Sequence, residues 1–237
     1  MNLHRIADIT VDMGYKYDRL RRQAEAYRIS EDIRPDMTIY LSDAFLDEKQ
    51  KENPHLSVED CEYIFTSSVY YTGLLHFGGF MLHSSAVLTD GRAYLFSASS
   101  GVGKSTHTRL WQKLLGSDRA KILNDDKPAI RISEDGGIYA CGTPWSGDSD
   151  LNINIKAPIA GICFLEQGEK NKIARVNGGS VISQMLNQTI RPYEEAGMDL
   201  LLKHIDKVLN KVPMYKMRCN MSEEAAVMSY REMSKIK

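Results

Sequence analysis

The chain has no paired cysteines, no long hydrophobic run and no excess of charge of either sign. Its four cysteines, Cys61, Cys141, Cys163 and Cys219, are scattered with no CxxC pair. That excludes a zinc-finger pattern and a thioredoxin-like redox pair, and it is the pattern of reduced intracellular thiols. The longest apolar stretch, Tyr70 to Leu82, is interrupted by His76 and three glycines, which is too broken for a membrane span. The opening segment MNLHRIADITVD carries charge early and has no signal-peptide core. A cytoplasmic protein with no membrane partner is therefore expected. Lys and Arg number 30 against 31 Asp and Glu, so the overall balance predicts no nucleic-acid partner. No internal repeat or low-complexity segment is visible. The 237 residues, 43% of them hydrophobic, suffice for one large core or a domain with an appendage.

What the chain does contain is a stretch built like a phosphate cradle, Leu95-Phe96-Ser97-Ala98-Ser99-Ser100-Gly101-Val102-Gly103-Lys104-Ser105-Thr106. An apolar strand runs into a glycine-rich turn and then into a helix start. Backbone N–H groups of such a turn, and of the helix N-terminus behind it, converge on an anion. Ser100, Gly101, Val102, Gly103, Lys104, Ser105 and Thr106 are the candidate nucleotide-binding residues. Lys104 is placed for the outer phosphates and Ser105 for Mg²⁺. The pattern GxxxxGK[ST] asks for glycine at position 98, where this chain has Ala98.

The surrounding pattern predicts the sheet. Met81 to Leu88 reads as a strand, Asp90-Gly91 as a hairpin turn, and Arg92 to Phe96 as the strand feeding the cradle. An ordinary parallel NTPase fold would need a helical crossover there, and the chain has no room for one. Further strands are expected at Lys121–Asn124, at Pro128–Ser133 paired with Ile138–Gly142, and at Gly161–Glu166 paired with Lys172–Val176. The tail predicts helices near 180–188 and 193–210, a strand at 213–218 and a helix beyond Ser222. In front of the cradle the chain reads as strand (Ile6–Met13), helix and strand (Asp36–Leu41). A charged loop follows at Asp47–His55, and then a helix runs from the Ser57/Asp60 cap signal toward Phe77. The basic run between Lys16 and Arg28 reads as the solvated side of the first helix. The expected class is α/β with a mixed, largely antiparallel sheet, a hairpin-fed P-loop and flanking helices. Its expected divisions are an N-terminal appendage over 1–56 and a nucleotide-binding domain over 57–237.

Phosphoryl transfer also needs a metal-binding carboxylate and a base. Asp125-Asp126, ending the strand after the cradle helix, are the candidates. Neighbouring strand residues face opposite ways, so both serve one site only if the chain turns at Lys127-Pro128. His83, just before the hairpin, is a further catalytic candidate, whereas His107 and Arg191 carry weaker signals. In Gly142–Asp150 a substrate loop competes evenly with a core-plugging Trp145 flanked by solvated aspartates.

The order MLHSSAV, hairpin, SASSGVGKST, ILNDDKPAI resembles the HPr kinase/phosphorylase group of the phosphoenolpyruvate carboxykinase-like superfamily over roughly residues 80 to 166. The resemblance maps onto His83, Gly101, Gly103, Lys104, Ser105, Asp125 and Asp126. It implies Lys104 on phosphate and Ser105 with one aspartate on Mg²⁺, Asp126 being the candidate metal ligand, while the other aspartate acts as base near an acceptor hydroxyl. The group's downstream glutamate–arginine signature is replaced here by GTPWSGDSDLNIN, and its acidic residue beside the cradle serine by Thr106. The expectation is an ATP- and Mg²⁺-dependent kinase acting on a hydroxyl of a peptide, protein or small molecule. A non-catalytic nucleotide-binding regulator and carboxykinase chemistry on a small acid are the alternatives. Kinship is compatible with a homo-oligomer, although no interface pattern in the sequence demands one.

Overall fold

The computed structural model describes residues 2–31 and 33–235. The chain opens with a hairpin of β1 (Leu3–Ile6) and β2 (Ile9–Met13), turning at Ala7 and Asp8 with φ of 50° and 64°. Two consecutive positive-φ residues suit the twist of a tight hairpin. The single strand expected over Ile6–Met13 is thus the second arm of a pair. Helix α1 (Asp18–Ala24) leads to β3 (Met37–Ile39), which joins β2 in parallel.

The charged stretch expected as a loop at Asp47–His55 lies mostly in a helix, α2 (Asp43–Glu52). Ser42 caps it by accepting from the Phe45 amide, and Leu46 is the residue it buries. A single buried position leaves almost no apolar periodicity to read. Helix α3 (Val58–Leu74) starts at the expected capping box of Ser57 and Asp60. It ends through a short 3₁₀ turn at Gly78, whose φ of 74° suits glycine. Its Tyr63, Tyr70, Tyr71 and Leu74 pack with Ile6, Val11, Met13 and Ile39 of the small sheet and with Leu20 of α1.

The main sheet then builds from β4 (Gly79–Met81), β5 (Ser84–Thr89) and β6 (Arg92–Ser97). Helix α4 (Lys104–Leu115) is followed by β7 (Ala120–Asp126), β8 (Ala129–Ile132), β9 (Ile138–Cys141), β10 (Lys156–Gln167) and β11 (Lys172–Val176). Helices α5 (Ile182–Asn187) and α6 (Glu195–Lys211), strand β12 (Met214–Cys219) and helix α7 (Glu223–Met233) complete the chain. The strand expected over Met81–Leu88 breaks at Leu82-His83. Its first part pairs with β8 and its second lies between β6 and β7.

The strand order is β4-β8-β9-β10-β6-β5-β7, with β12 beside β10 and β11 outside β12. Pairing is antiparallel except where β10 meets β6 and β12. The pairing expected between Gly161–Glu166 and Lys172–Val176 does not form, because β6 and β12 occupy both edges of β10. Gly161–Leu165 are buried without interruption, as in an interior strand, while β11 is largely exposed, as at an edge.

Alternation along the strands sends Leu95, Ile162, Phe164 and Met214 to one face, against Met185 of α5 and Leu201, Ile205 and Val208 of α6. Phe96, Cys163, Leu165 and Met217 go to the other face, against Trp111 of α4 and Ala225 and Ala226 of α7. The result is a mixed, largely antiparallel sheet between helical layers. All four cysteines are free and buried. Among the described residues no helix is long and apolar enough to cross a membrane.

Candidate active site

Both β6 and β7 run antiparallel to β5, and the register sets Ser84 opposite Ser97 on one side and opposite Asp126 on the other. The end of β6, the start of β5 and the end of β7 therefore lie in one row at one end of the sheet. The loop 98–103, His83 and the aspartate pair all emerge there.

In the loop, Gly101 and Gly103 take φ of 77° and 112°, a region that disfavours side chains. Ala98, where the cradle pattern asks for glycine, is buried and not among the positive-φ residues, so alanine fits without strain. Gly103 is the N-cap of α4, and no side chain caps that end. The first-turn N–H groups therefore have no side-chain partner, an arrangement that can bind an anion. The Lys104 ammonium folds against the loop, donating to the carbonyls of Ala98 at 3.1 Å and Ser99 at 3.4 Å. Burial lowers its pKa, opposed by Asp126 and Asp125. Met221, from the connection between β12 and α7, closes over the turn, since a Cβ on Gly103 would fall 1.9 Å from its methyl carbon.

The register of β7 against β5 shifts between Ala86 and Val87, and the backbone bends at Lys127. There the amide donates to Asn124 Oδ1 at 2.9 Å, and the carbonyl accepts from Thr143 Oγ1 at 2.8 Å and from the Tyr71 hydroxyl. With that bend, Asp125 and Asp126 both line the same cavity. Asp125 is buried and its Oδ1 has no hydrogen-bond partner. Asp126 Oδ1 lies 3.2 Å from His83 Nε2, and Oδ2 lies 3.8 Å from the Lys127 ammonium. Burial pushes the Asp126 carboxyl up, but the His83 hydrogen bond and the charges of Lys127, His83 and Lys104 outweigh it, and the net shift is downward. Asp126 is thus held ionised.

His83 is fixed on three sides. Its amide donates to the Gln188 carbonyl at 2.7 Å, its carbonyl accepts from Ser97 Oγ at 2.8 Å, and Nδ1 lies 2.8 Å from Gln188 Oε1.

These groups border an open cavity of about 790 Å³, within the size of small-molecule sites. Ser100, Gly101, Gly103, Lys104, Ser105 and Thr106 form one wall. Val102 turns away and packs on the core beneath α4. The opposite wall comes from residues that sequence reasoning missed. Arg19, expected on a solvated face, points inward with its guanidinium 4.0 Å from the Tyr63 ring centroid, and it pairs with Asp60 at 3.0 Å and Asp148 at 2.7 Å. Lys127 lies 5.3 Å from the same ring, its pKa lowered by burial against the pull of Asp126.

The stretch 142–150 divides between its two readings. Trp145 is fully buried, with ring centroids 4.8 Å from Tyr70 and 5.6 Å from Tyr71. Gly147, Asp148 and Ser149 line the cavity. Gly147 is held by the Tyr63 hydroxyl, which accepts from its amide at 2.9 Å, and by Gln23 Nε2, which donates to its carbonyl at 3.1 Å. A Cβ there would lie 3.2 Å from that of Asp126, so the loop rests directly on the aspartates. His107 is buried on the Ser229 hydroxyl at 2.8 Å and away from the cavity. Arg191 is exposed and does not line it.

Among the described residues no three His, Cys, Asp or Glu side chains group as a metal site. The available donors are two carboxylates and the Ser105 hydroxyl. Such a set suits a hard cation that draws its remaining ligands from phosphate oxygens and water, as Mg²⁺ does. The partnerless Oδ1 of Asp125 fits that need.

No protein-family model matches the chain, and no curated protein matches it in sequence. Among solved structures, the HPr(Ser) kinase/phosphatase from Coxiella burnetii is similar with a TM-score of 0.37 and 10% identity, over 64% of this chain and 96% of that one. A likeness this loose leaves function to the geometry of the site.

Proposed function

We propose that the protein is a nucleotide-dependent phosphotransferase that moves a phosphoryl group from ATP to a hydroxyl, with Mg²⁺ as the accompanying ion. The observation that carries this reading is the sheet register, which brings a glycine-rich anion cradle, an aspartate pair and a histidine to one end of three adjacent strands. The motif order in the sequence supports the same reading.

ATP with its divalent ion would supply an activated phosphoryl group whose charge is partly neutralised. The amides of 100–106 and Lys104 bind and orient the phosphates. Ser105 and the carboxylate of Asp125, with its unpartnered Oδ1, would hold the ion. Asp126 then faces the acceptor. Oriented by His83 and ionised, it accepts the hydroxyl's hydrogen bond and takes its proton. These assignments exchange the role first expected for Asp126 as metal ligand. Arg19 and the loop 147–149 limit access of water from the far wall.

Labelled ATP and Mg²⁺ incubated with the protein and fractionated cell extract should yield a labelled acceptor. Lys104→Ala should abolish the labelling and weaken ATP binding by about tenfold or more, the cost of a charge-assisted contact. Tight ATP binding with no labelled product in any fraction would instead identify a non-catalytic nucleotide-binding regulator.

A further inference from the structure

A second cavity, of about 610 Å³, lies where the β1–β2 turn, the end of α3, the end of β8 and helix α6 meet. It shares no lining residue with the first. Its charge is mostly basic. Lys156 is neutralised by Asp8 at 2.5 Å, and Glu134 is exposed at the edge, while Arg131 and Lys207 have no carboxylate partner among the described residues.

Arg131 is half buried. Its guanidinium donates to the Phe77 carbonyl, and its Nε is buried without a partner. A desolvated cation without a counter-charge is costly, and so is a buried donor left unpaired. On the facing helix His204 is buried, with Nε2 2.9 Å from the Leu75 carbonyl. A carbonyl only accepts, so Nε2 carries the hydrogen and Nδ1 is a lone pair. Burial lowers the pKa of His204, and Lys207 and Arg131 add to that despite the Leu75 bond, so the ring stays neutral. Nδ1 also lacks a partner.

One side of this cavity therefore wants an anion and the other wants a donor. A carboxylate or a sulfate offers only acceptors near neutral pH. A hydrogen-phosphate group offers both, because its ionised oxygens accept from Arg131 and its P–O–H can donate to an imidazole nitrogen. We propose that this cavity binds a hydrogen-phosphate group, free or carried on a phosphate monoester, through Arg131, Lys207 and His204. The volume leaves room for the organic part of a monoester.

The test is a titration of the Lys104→Ala protein, in which the cradle is weakened, at pH 6, where about half of a phosphate monoester keeps its P–O–H, followed by histidine ¹⁵N NMR. His76 and His204 report on this cavity and His83 on the other. Inorganic phosphate and glycerol 3-phosphate are the probes, with sulfate as the acceptor-only control. The expected result is a saturable shift of the His204 and His76 signals with a Kd of about 1 mM or tighter, weaker by about tenfold for sulfate because it lacks the donor. The tighter of the two phosphate probes identifies the source of the group. Arg131→Gln should remove the shift. If that variant fails to fold, Lys207→Gln should weaken it several-fold. No shift at His204 and His76, an equal response to sulfate, or a response unchanged by both substitutions would overturn the proposal.

Discussion

Asp126 sits between a histidine and a lysine, and both favour its ionised form. Its folded pKa lies below the ordinary 3.8, so it stabilises the fold fully above that value and loses the contribution as pH falls through the depressed folded value. Asp126→Asn should therefore flatten the loss of stability in strong acid, measured as the denaturation midpoint between pH 7 and the acid limit. The same substitution should cut phosphoryl transfer by about 10²- to 10⁴-fold, the usual worth of a positioned base, while ATP still binds.

Some of these residues are readable from the chain. Lys104, Ser105 and the aspartate pair stand in a motif, and His83 directly precedes the hairpin strands. Arg19 is different, because an arginine on a charged helix looks solvated until Tyr63 and Asp60, some forty residues away, are known to lie beneath it. Only tertiary contact distinguishes it from its neighbours.

At the scale of elements, α4 carries the cradle and is anchored to α7 through one hydroxyl. Trp111 Nε1 donates to Ser229 Oγ at 2.8 Å, and His107 Nε2 lies 2.8 Å from the same oxygen. Ser229→Ala leaves two buried polar groups unpaired and should cost about 1–3 kcal/mol in denaturant unfolding. Burial brings the His107 pKa from 6.5 down to about 4. The unfolded chain therefore binds a proton that the fold rejects in this window. Stability from this group is complete above pH 6.5 and falls by up to about 3 kcal/mol as pH drops through the window. His107→Gln should remove that slope, read from urea midpoints against pH.

Elements with strong caps or periodicity, such as α3, α4 and α6, can be read in the sequence. Helix α2 cannot, because it buries little. The β4–β5 break at His83 is invisible because both halves are apolar. A short polar turn suggests β11 as the hairpin partner of β10, whereas continuous burial along Gly161–Leu165 marks a strand with neighbours on both sides.

Across the whole molecule, one core joins the small N-terminal sheet to α3 and Trp145, and through Tyr63, Gln23 and Arg19 it fixes the loop that lies on the aspartates. The N-terminal segment is thus a wall of the site, a role its charge pattern alone does not disclose. Arg19→Gln should lower turnover by about 10- to 100-fold through misplacement of that wall, with nucleotide affinity nearly unchanged, in parallel assays of labelled product and ATP binding. The hairpin-fed cradle and the largely antiparallel sheet are legible because a two-residue turn leaves no space for a crossover helix. The cavity's far side is not, since it is assembled from residues distant in sequence.

The claim that cradle, aspartates and His83 form one nucleotide–metal site is tested most directly by paramagnetic broadening. Histidine ¹⁵N spectra of the full chain would be recorded with ADP and Mn²⁺ in place of Mg²⁺. The account predicts that the His83 signal broadens away at low Mn²⁺ while His76 and His204, bordering the other cavity, stay sharp. An unbroadened His83 in the presence of bound nucleotide and Mn²⁺ would contradict it.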